Sequence, residues 1–383
     1  MPSGVHLSRR GFLAATLGLP FLRAQSAAGL AQTPWIQGLD RDQFTLLWIT
    51  PEPSATAVAD LFDASGTRLG SFPSRQTALP ENLGFLHEVS LRGLLPNTEY
   101  RYRTSACSSP EPTAFRTPSR QSTRALVFGD SGSGSLEQRS LAARMRARPR
   151  YDLLLHTGDL IYGDLREETY LRQHVAVYGE LLRELPIFPC PGNHDYESDE
   201  ARVYQAIHPV PLNYGFHWGD DVYVAVLDSN LLTSEALTRF EESLAARQEV
   251  RWRIALFHHP PFAGGPNQDD PLSLAVRERV APILTRQRVQ LALSGHEHNY
   301  QRTHVLDGVT YLTTGGGGAR LYPTAARSEA RVQASLHHFV ELELNDREIR
   351  AHALALDGSL IDSFAIPARI PGTVQSLAAS NQQ

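Results

Sequence analysis

The strongest constraint on this chain is a set of five short apolar runs, each ending in a turn that carries potential metal ligands. Residues 125–128 lead into Gly129-Asp130-Ser131-Gly132, and 153–155 into Gly158-Asp159-Leu160-Ile161-Tyr162. Residues 186–189 lead into Gly192-Asn193-His194-Asp195, 254–257 into His258-His259-Pro260, and 291–293 into Gly295-His296-Glu297-His298. Another apolar run at 222–227 and helical stretches at 136–148, 169–185 and 272–286 are interleaved with them. Such alternation describes buried strands with covering helices, an α/β unit. In open α/β sheets the carboxyl ends of the strands line the ligand crevice, which is where these turns fall. Glycine ahead of the ligand, in four of the five turns, lets the backbone turn tightly beside an ion.

Each motif alone has an ordinary structural reading. A Gly-Asp pair is usually a turn, Asn193 a turn residue, His258 a satisfied core histidine and Tyr162 a packed aromatic. Gly-His-Glu-His is more specific, because two histidines two apart on an extended turn can face two ions. Five matches in one order, at the ends of five strands, are far harder to explain as turns.

Upstream, residues 33–118 have a different character. Short alternating runs such as 44–49 and 57–62 are broken by turn residues such as Asp63-Ala64-Ser65-Gly66, the pattern of a small antiparallel β-sandwich. Residues 94–102 resemble the tyrosine-corner segment of fibronectin type III domains, which implies that Tyr100 is tied to the chain upstream as a packing residue. The polar stretch 117–122 reads as a linker to a second unit at 123–366. Its last part, from 338, returns to strand patterning, and 367–383 is a polar tail.

The N-terminus reads as an export signal. Ser8-Arg9-Arg10-Gly11-Phe12-Leu13 opens an apolar stretch ending at Leu22, followed by mostly small residues to Ala31. Adjacent arginines before Phe12 and Leu13 fit the twin-arginine route, which carries folded proteins to a periplasmic or secreted location. The stretch is well short of the ~20 residues that span a bilayer, so no membrane span is expected in the mature protein. A formal net charge of −5 offers no basic field for nucleic acid. All 36 basic residues are arginine, which reads as compositional bias rather than a phosphate-binding device. Two cysteines, Cys107 and Cys190, make no disulfide framework, and each reads as a small buried apolar residue.

Taken together, the five turns resemble the metal-binding blocks of the purple acid phosphatases, within the calcineurin-like metallophosphoesterase group. The resemblance covers nearly all of the chain after the export signal, and includes Tyr300 and Arg302 after the last histidines, Gly315–Gly318 and Tyr214-Gly215-Phe216. It implies an αββα sandwich preceded by a fibronectin type III-like β-sandwich. It assigns Asp130, Asp159, Tyr162 and His298 to one metal, and Asp159, Asn193, His258 and His296 to a second, with Asp159 bridging. The first set is hard and anionic. A phenol of pKa near ~10 ionises at neutral pH only beside a strong Lewis acid, which favours Fe(III) there. The second set suits divalent Fe, Zn or Mn.

The implied reaction is hydrolysis of small-molecule phosphate monoesters by a metal-bound hydroxide, with His194 as the acid for the leaving oxygen. His259, His156, Tyr300 and Arg302 are candidates for a supporting layer behind the ligands. The family usually carries another histidine about nine residues after its His-x-Pro ligand; here Asn267 stands at that position. A phosphodiesterase using the same ions is the alternative, and its deciding loops follow Pro261 and Gly318. A non-catalytic scaffold is disfavoured, because all seven ligand positions carry suitable residues.

Overall fold

Alternate residues of the central strands divide between two buried faces. In the strand Thr123–Phe128, Ala125 and Val127 enter one apolar cluster, and Leu126 and Phe128 another. Leu153–His156 repeats the division, with Leu153 and Leu155 on the first side and Leu154 on the second. Across the first cluster lies another sheet. Its strand Trp252–Leu256 contributes Ile254 and Leu256 to the shared cluster and Ala255 to a third. Strands apolar on both faces must be covered on both faces. The helices Leu136–Arg146 and Ala176–Leu182 close the outside of the first sheet, and Ser234–Ala245 and Ala281–Arg286 the outside of the second. These four layers form the αββα sandwich that the resemblance implies.

This computed structural model describes residues 33–79, 83–106, 111–119, 122–163, 166–197 and 201–368. The expected export signal, Cys107 and residues 369–383 lie outside the described residues. Cys190 is a buried free thiol. No described helix is long and apolar enough to cross a membrane.

Among the described residues there are sheets of ten, seven and four strands. Thr123–Phe128, Leu153–His156 and Ile187–Pro189 run parallel in the first. Val222–Val226, Trp252–Leu256 and Leu291–Ser294 run parallel in the second. Five of these six strands lead into the five ligand-bearing turns, which the structure gathers into one site.

The N-terminal strands make two sheets around one buried cluster that holds Trp48, Leu61, Tyr102 and Phe115. As expected from the tyrosine corner, Tyr100 Oη accepts the Leu95 N–H at 3.0 Å. One of these sheets is not separate, however. Trp35–Asp40 pairs with Ile187–Pro189, so the ten-stranded sheet runs through both parts of the chain. An open edge on that ligand-bearing strand would leave backbone groups unpaired, and the N-terminal strand covers it.

Candidate metal centre

All seven ligand candidates converge, and they do so as two groups joined by one carboxylate. Tyr162 Oη lies 3.0 Å from Asp159 Oδ2, 3.3 Å from Asp130 Oδ1 and 3.0 Å from His298 Nε2. On the other side, Asn193 Oδ1 lies 3.0 Å from His258 Nε2 and 2.9 Å from His296 Nδ1. Asp159 Oδ1 faces this second group, 3.4 Å from His258 Nε2, and also accepts the His194 N–H at 3.0 Å. Asp130, Asp159 and His258 are fully or almost fully buried.

Backbone carbonyls set the histidine tautomers. A carbonyl can only accept, so His258 Nδ1–H donates to Thr157 O at 2.8 Å and His298 Nδ1–H donates to Arg320 O at 2.7 Å. The opposite nitrogen of each ring is left as a lone-pair donor aimed into the cluster. His296 does the reverse, presenting Nδ1 while its buried Nε2 has no partner.

The glycines act through close approach more than through turning. A Cβ on Gly192 would sit 2.0 Å from Asp159 Oδ1, whereas Gly158 does take a left-handed φ of 96°.

The donor set fits two cations. Two buried carboxylates, a phenol and three imidazoles meet, and among the described residues no arginine side chain is hydrogen-bonded to them. Burial, with Asp159 nearby, pushes Asp130 well above the usual carboxylate range. Burial opposes charge on His258, but the charge and hydrogen bond of Asp159, with Asp130 and the Thr157 carbonyl, together raise its imidazole to about 10. Burial and both carboxylates push the Tyr162 phenol well up. Left to protons alone, the cluster must hold them on its own donors to offset buried negative charge, and divalent or trivalent cations would displace them.

His194 lies beside this centre, its ring centroid 4.5 Å from that of Tyr162. Glu197 Oε1 approaches its Nδ1 at 2.6 Å without the alignment of a hydrogen bond. His259 packs against His258 and His296, and its Nδ1 is 2.7 Å from Ser229 Oγ. His156 supports two ligand turns at once, through Ser131 Oγ at 2.9 Å and the Gly158 N–H at 3.3 Å. Asn267 sits at the rim, its Nδ2 3.4 Å from His296 O.

Tyr300 and Arg302 do not support a ligand directly. Both bond to Asp362, at 2.7 and 2.6 Å, because they occupy alternate positions of the strand Tyr300–Leu306 on the side facing that carboxylate.

Several contributors had no role assigned from sequence. Asp195 accepts from Leu160 N and Gly192 N and from Tyr170 Oη, locking two ligand turns together. Ser229 Oγ accepts from His258 N and His259 N. Its signal was available: Asp228-Ser229 follows the apolar run 222–227, in the same position as the five ligand turns. Tyr322 stacks on His298, with ring centroids 4.1 Å apart and an interplanar angle of 9°.

Known proteins are similar to this chain in sequence and in fold. The family model for the calcineurin-like phosphoesterase matches residues 123–300. The Arabidopsis thaliana protein named "Probable purple acid phosphatase 20" is 26% identical over 314 residues, covering 72% of this chain and 71% of that one. Human acid phosphatase type 7 is 25% identical over 297 residues, 67% of each chain. The solved structure of a purple acid phosphatase from yellow lupin seeds superposes with a TM-score of 0.75 at 20% identity, over 88% of this chain and 74% of that one, which is a likeness of fold.

Proposed function

Because this chain carries a calcineurin-like phosphoesterase domain and is a metal-dependent phosphoesterase similar to the purple acid phosphatases, we propose that it is an exported phosphate monoesterase with a binuclear centre of Fe(III) and a divalent Fe, Zn or Mn. The observation that carries the reading is the split of the donors about Asp159, one oxygen toward Tyr162 and the other toward His258. On this reading Asp130, Asp159, Tyr162 and His298 hold Fe(III), and Asp159, Asn193, His258 and His296 hold a divalent ion. One bridging carboxylate suits two cations ~3.5–4 Å apart. When bound, the ions supply an activated water and offset charge on the phosphoryl group.

The chain's own residues do the rest. Thr157 and Arg320 carbonyls keep two imidazoles in the ligating tautomer. His194 holds the proton that goes to the leaving oxygen, from a ring three-tenths exposed at the mouth of the centre. Asn267, at the rim, offers a hydrogen bond to the substrate but no transferable proton.

The test is metal analysis of the purified protein alongside hydrolysis of p-nitrophenyl phosphate and bis(p-nitrophenyl) phosphate. Two ions per chain and faster monoester turnover are expected. Faster diester turnover would refute the monoesterase assignment. For export, Arg9 and Arg10 both changed to lysine should leave folded, metal-loaded enzyme in the cytoplasm; undiminished export of that variant would rule out the twin-arginine route.

A further inference from the structure

On the side away from Leu153–His156, the strand that delivers Asn193 and His194 is held mainly by side chains. Ile187–Pro189 is three residues long, and neither Pro189 nor Pro191 has an N–H to donate. The strand pairs at three positions with Leu153–His156, but at a single position, Ile187 opposite Gln37, with Trp35–Asp40. Buried carbonyls need donors, and here four side chains from separate parts of the chain provide them. Gln37 Nε2 donates to Ile187 O at 2.7 Å. Tyr204 and Tyr214 Oη donate to Pro189 O at 3.1 and 2.8 Å. Asn230 Nδ2 reaches Pro191 O and Gly192 O, each at 3.3 Å.

Gln37 differs from the other three. It is fully buried, it comes from the N-terminal sheets, and it is engaged at both ends of its amide. Its Oε1 accepts from His208 Nδ1 at 2.8 Å, at the end of the helix Arg202–Ile207. An amide that must meet a donor on one side and an acceptor on the other allows a single placement. That placement sets the height of Ile187 in the sheet, and with it the chain running on to Gly192 and Asn193. The adjacent Gly38 tightens the fit, since a Cβ there would meet the Phe188 ring at 2.2 Å.

We infer that Gln37 is a positioning residue for the Asn193 half of the metal centre, so that the N-terminal sheets are part of the catalytic apparatus rather than an appended binding module. The inference rests on the reading of Asn193 as a ligand. The Tyr162 half is carried by the turns after Thr123–Phe128, Leu153–His156 and Leu291–Ser294, and the side-chain hydrogen bonds of Gln37 go to Gly38, Ile187 and His208 instead. Loss of the Gln37 amide should therefore act on one ion and spare the other.

The experiment compares wild type, Gln37→Met and Tyr100→Phe, each loaded with iron and Zn(II), dialysed against a graded chelator and assayed for metal content. Gln37→Met keeps the shape and removes all three side-chain hydrogen bonds, to Ile187 O, Gly38 O and His208 Nδ1. It should lose the divalent ion at about 10-fold lower chelator while retaining iron, since removing a partner that orients ligands typically costs ~10–100-fold in metal affinity. Tyr100→Phe removes a hydrogen bond within the N-terminal sheets and should lower the melting temperature with both ions retained. That contrast separates positioning from general stability. If Gln37→Met does not fold, Gln37→Asn, one methylene short, must show the same selective loss. Wild type holding two ions and a Gln37 variant holding both equally well would overturn the inference alone. Wild type holding one ion would overturn the two-ion reading and the inference with it.

Discussion

Asp130, Asp159 and His296 have φ of 55°, 54° and 67°, a region that residues other than glycine rarely adopt. Such backbone persists only where the surroundings over-determine it, and it clusters at functional sites. Here the surroundings are visible: the His296 N–H lies 2.9 and 3.1 Å from the two Asp130 oxygens, so one unusual residue holds another. Adjacent residues can therefore have separate duties. Asn193→Ala should weaken retention of the divalent ion. His194→Ala should keep both ions while turnover falls by ~10²–10⁴-fold, the usual worth of acid catalysis; equal metal loss in the two variants would refute the division. Tyr162→Phe should abolish the broad visible absorption expected of a phenolate on Fe(III) and leave the fold intact. An iron-free, colourless and fully active wild type would refute the iron assignment.

At the scale of elements, the chain leaving the Gly-His-x-His turn carries a buried polar ladder on alternate residues. Gln301 clasps both the N–H and the carbonyl of Gly264 at 2.8 Å each, and Asn299 Oδ1 accepts from Gln301 Nε2 at 2.7 Å. Glu297 Oε1 accepts the Asn267 N–H at 2.7 Å. The loop after His258-His259-Pro260 is thus pinned from below, and Asn267 is presented at the rim by hydrogen bonds rather than left free. With an amide where the purple acid phosphatase resemblance leads one to expect a histidine, the proposed reading leaves His194 as the acid. Esters with good leaving groups need least protonation, so aryl phosphates should be turned over markedly faster than alkyl phosphates. Asn267→His should narrow that gap by raising alkyl turnover. An unchanged ratio in the variant, or no preference in wild type, would show that the acid lies elsewhere. The helical stretches expected at 169–185 and 272–286 are present, but each contains a π-helical turn, at Leu171–Val175 and Val276–Val280, which periodicity alone does not reveal.

For the molecule as a whole, buried histidines away from the centre contribute to the response to acid, against the buried carboxylates Asp195 and Glu297, which burial raises to about 7. His174 is fully buried with neither ring nitrogen partnered, and burial pushes its imidazole down to about 3. His208, also buried, is held well below its ordinary value by burial and by His174, and burial lowers His338 to about 4. In the unfolded chain these imidazoles titrate near ~6.5. Above that pH both states are neutral and the contribution to stability is complete. As pH falls below it the unfolded chain takes up protons that the folded state refuses, and stability is lost. His174 alone should cost about 2 kcal/mol between pH 7 and 5. Urea denaturation at fixed metal should therefore show that wild type loses about 2 kcal/mol of stability relative to His174→Phe between pH 7 and 5. An identical change in stability of the two proteins from pH 7 to 5 would contradict this account.

The candidate ligands and most strands were legible in the sequence because their determinants are local. Metal chemistry is carried by residue type, and two-sided burial leaves uninterrupted apolar runs such as 153–155. What those side chains meet was not legible. Tyr300 and Arg302 follow the last histidines in sequence, yet strand register turns both toward Asp362. Glu297, between two ligands, is spent on Asn267, and Ser229 orients two histidines 29 and 30 residues away. Most far-reaching, the N-terminal sheet joins the catalytic one through Gln37 and Ile187, which lie 150 residues apart. Pattern and composition specify which residues must be buried or must bind. Only tertiary packing decides which edge a strand covers, because any strand of suitable register can satisfy an open row of backbone groups, and the partner is selected by the whole fold.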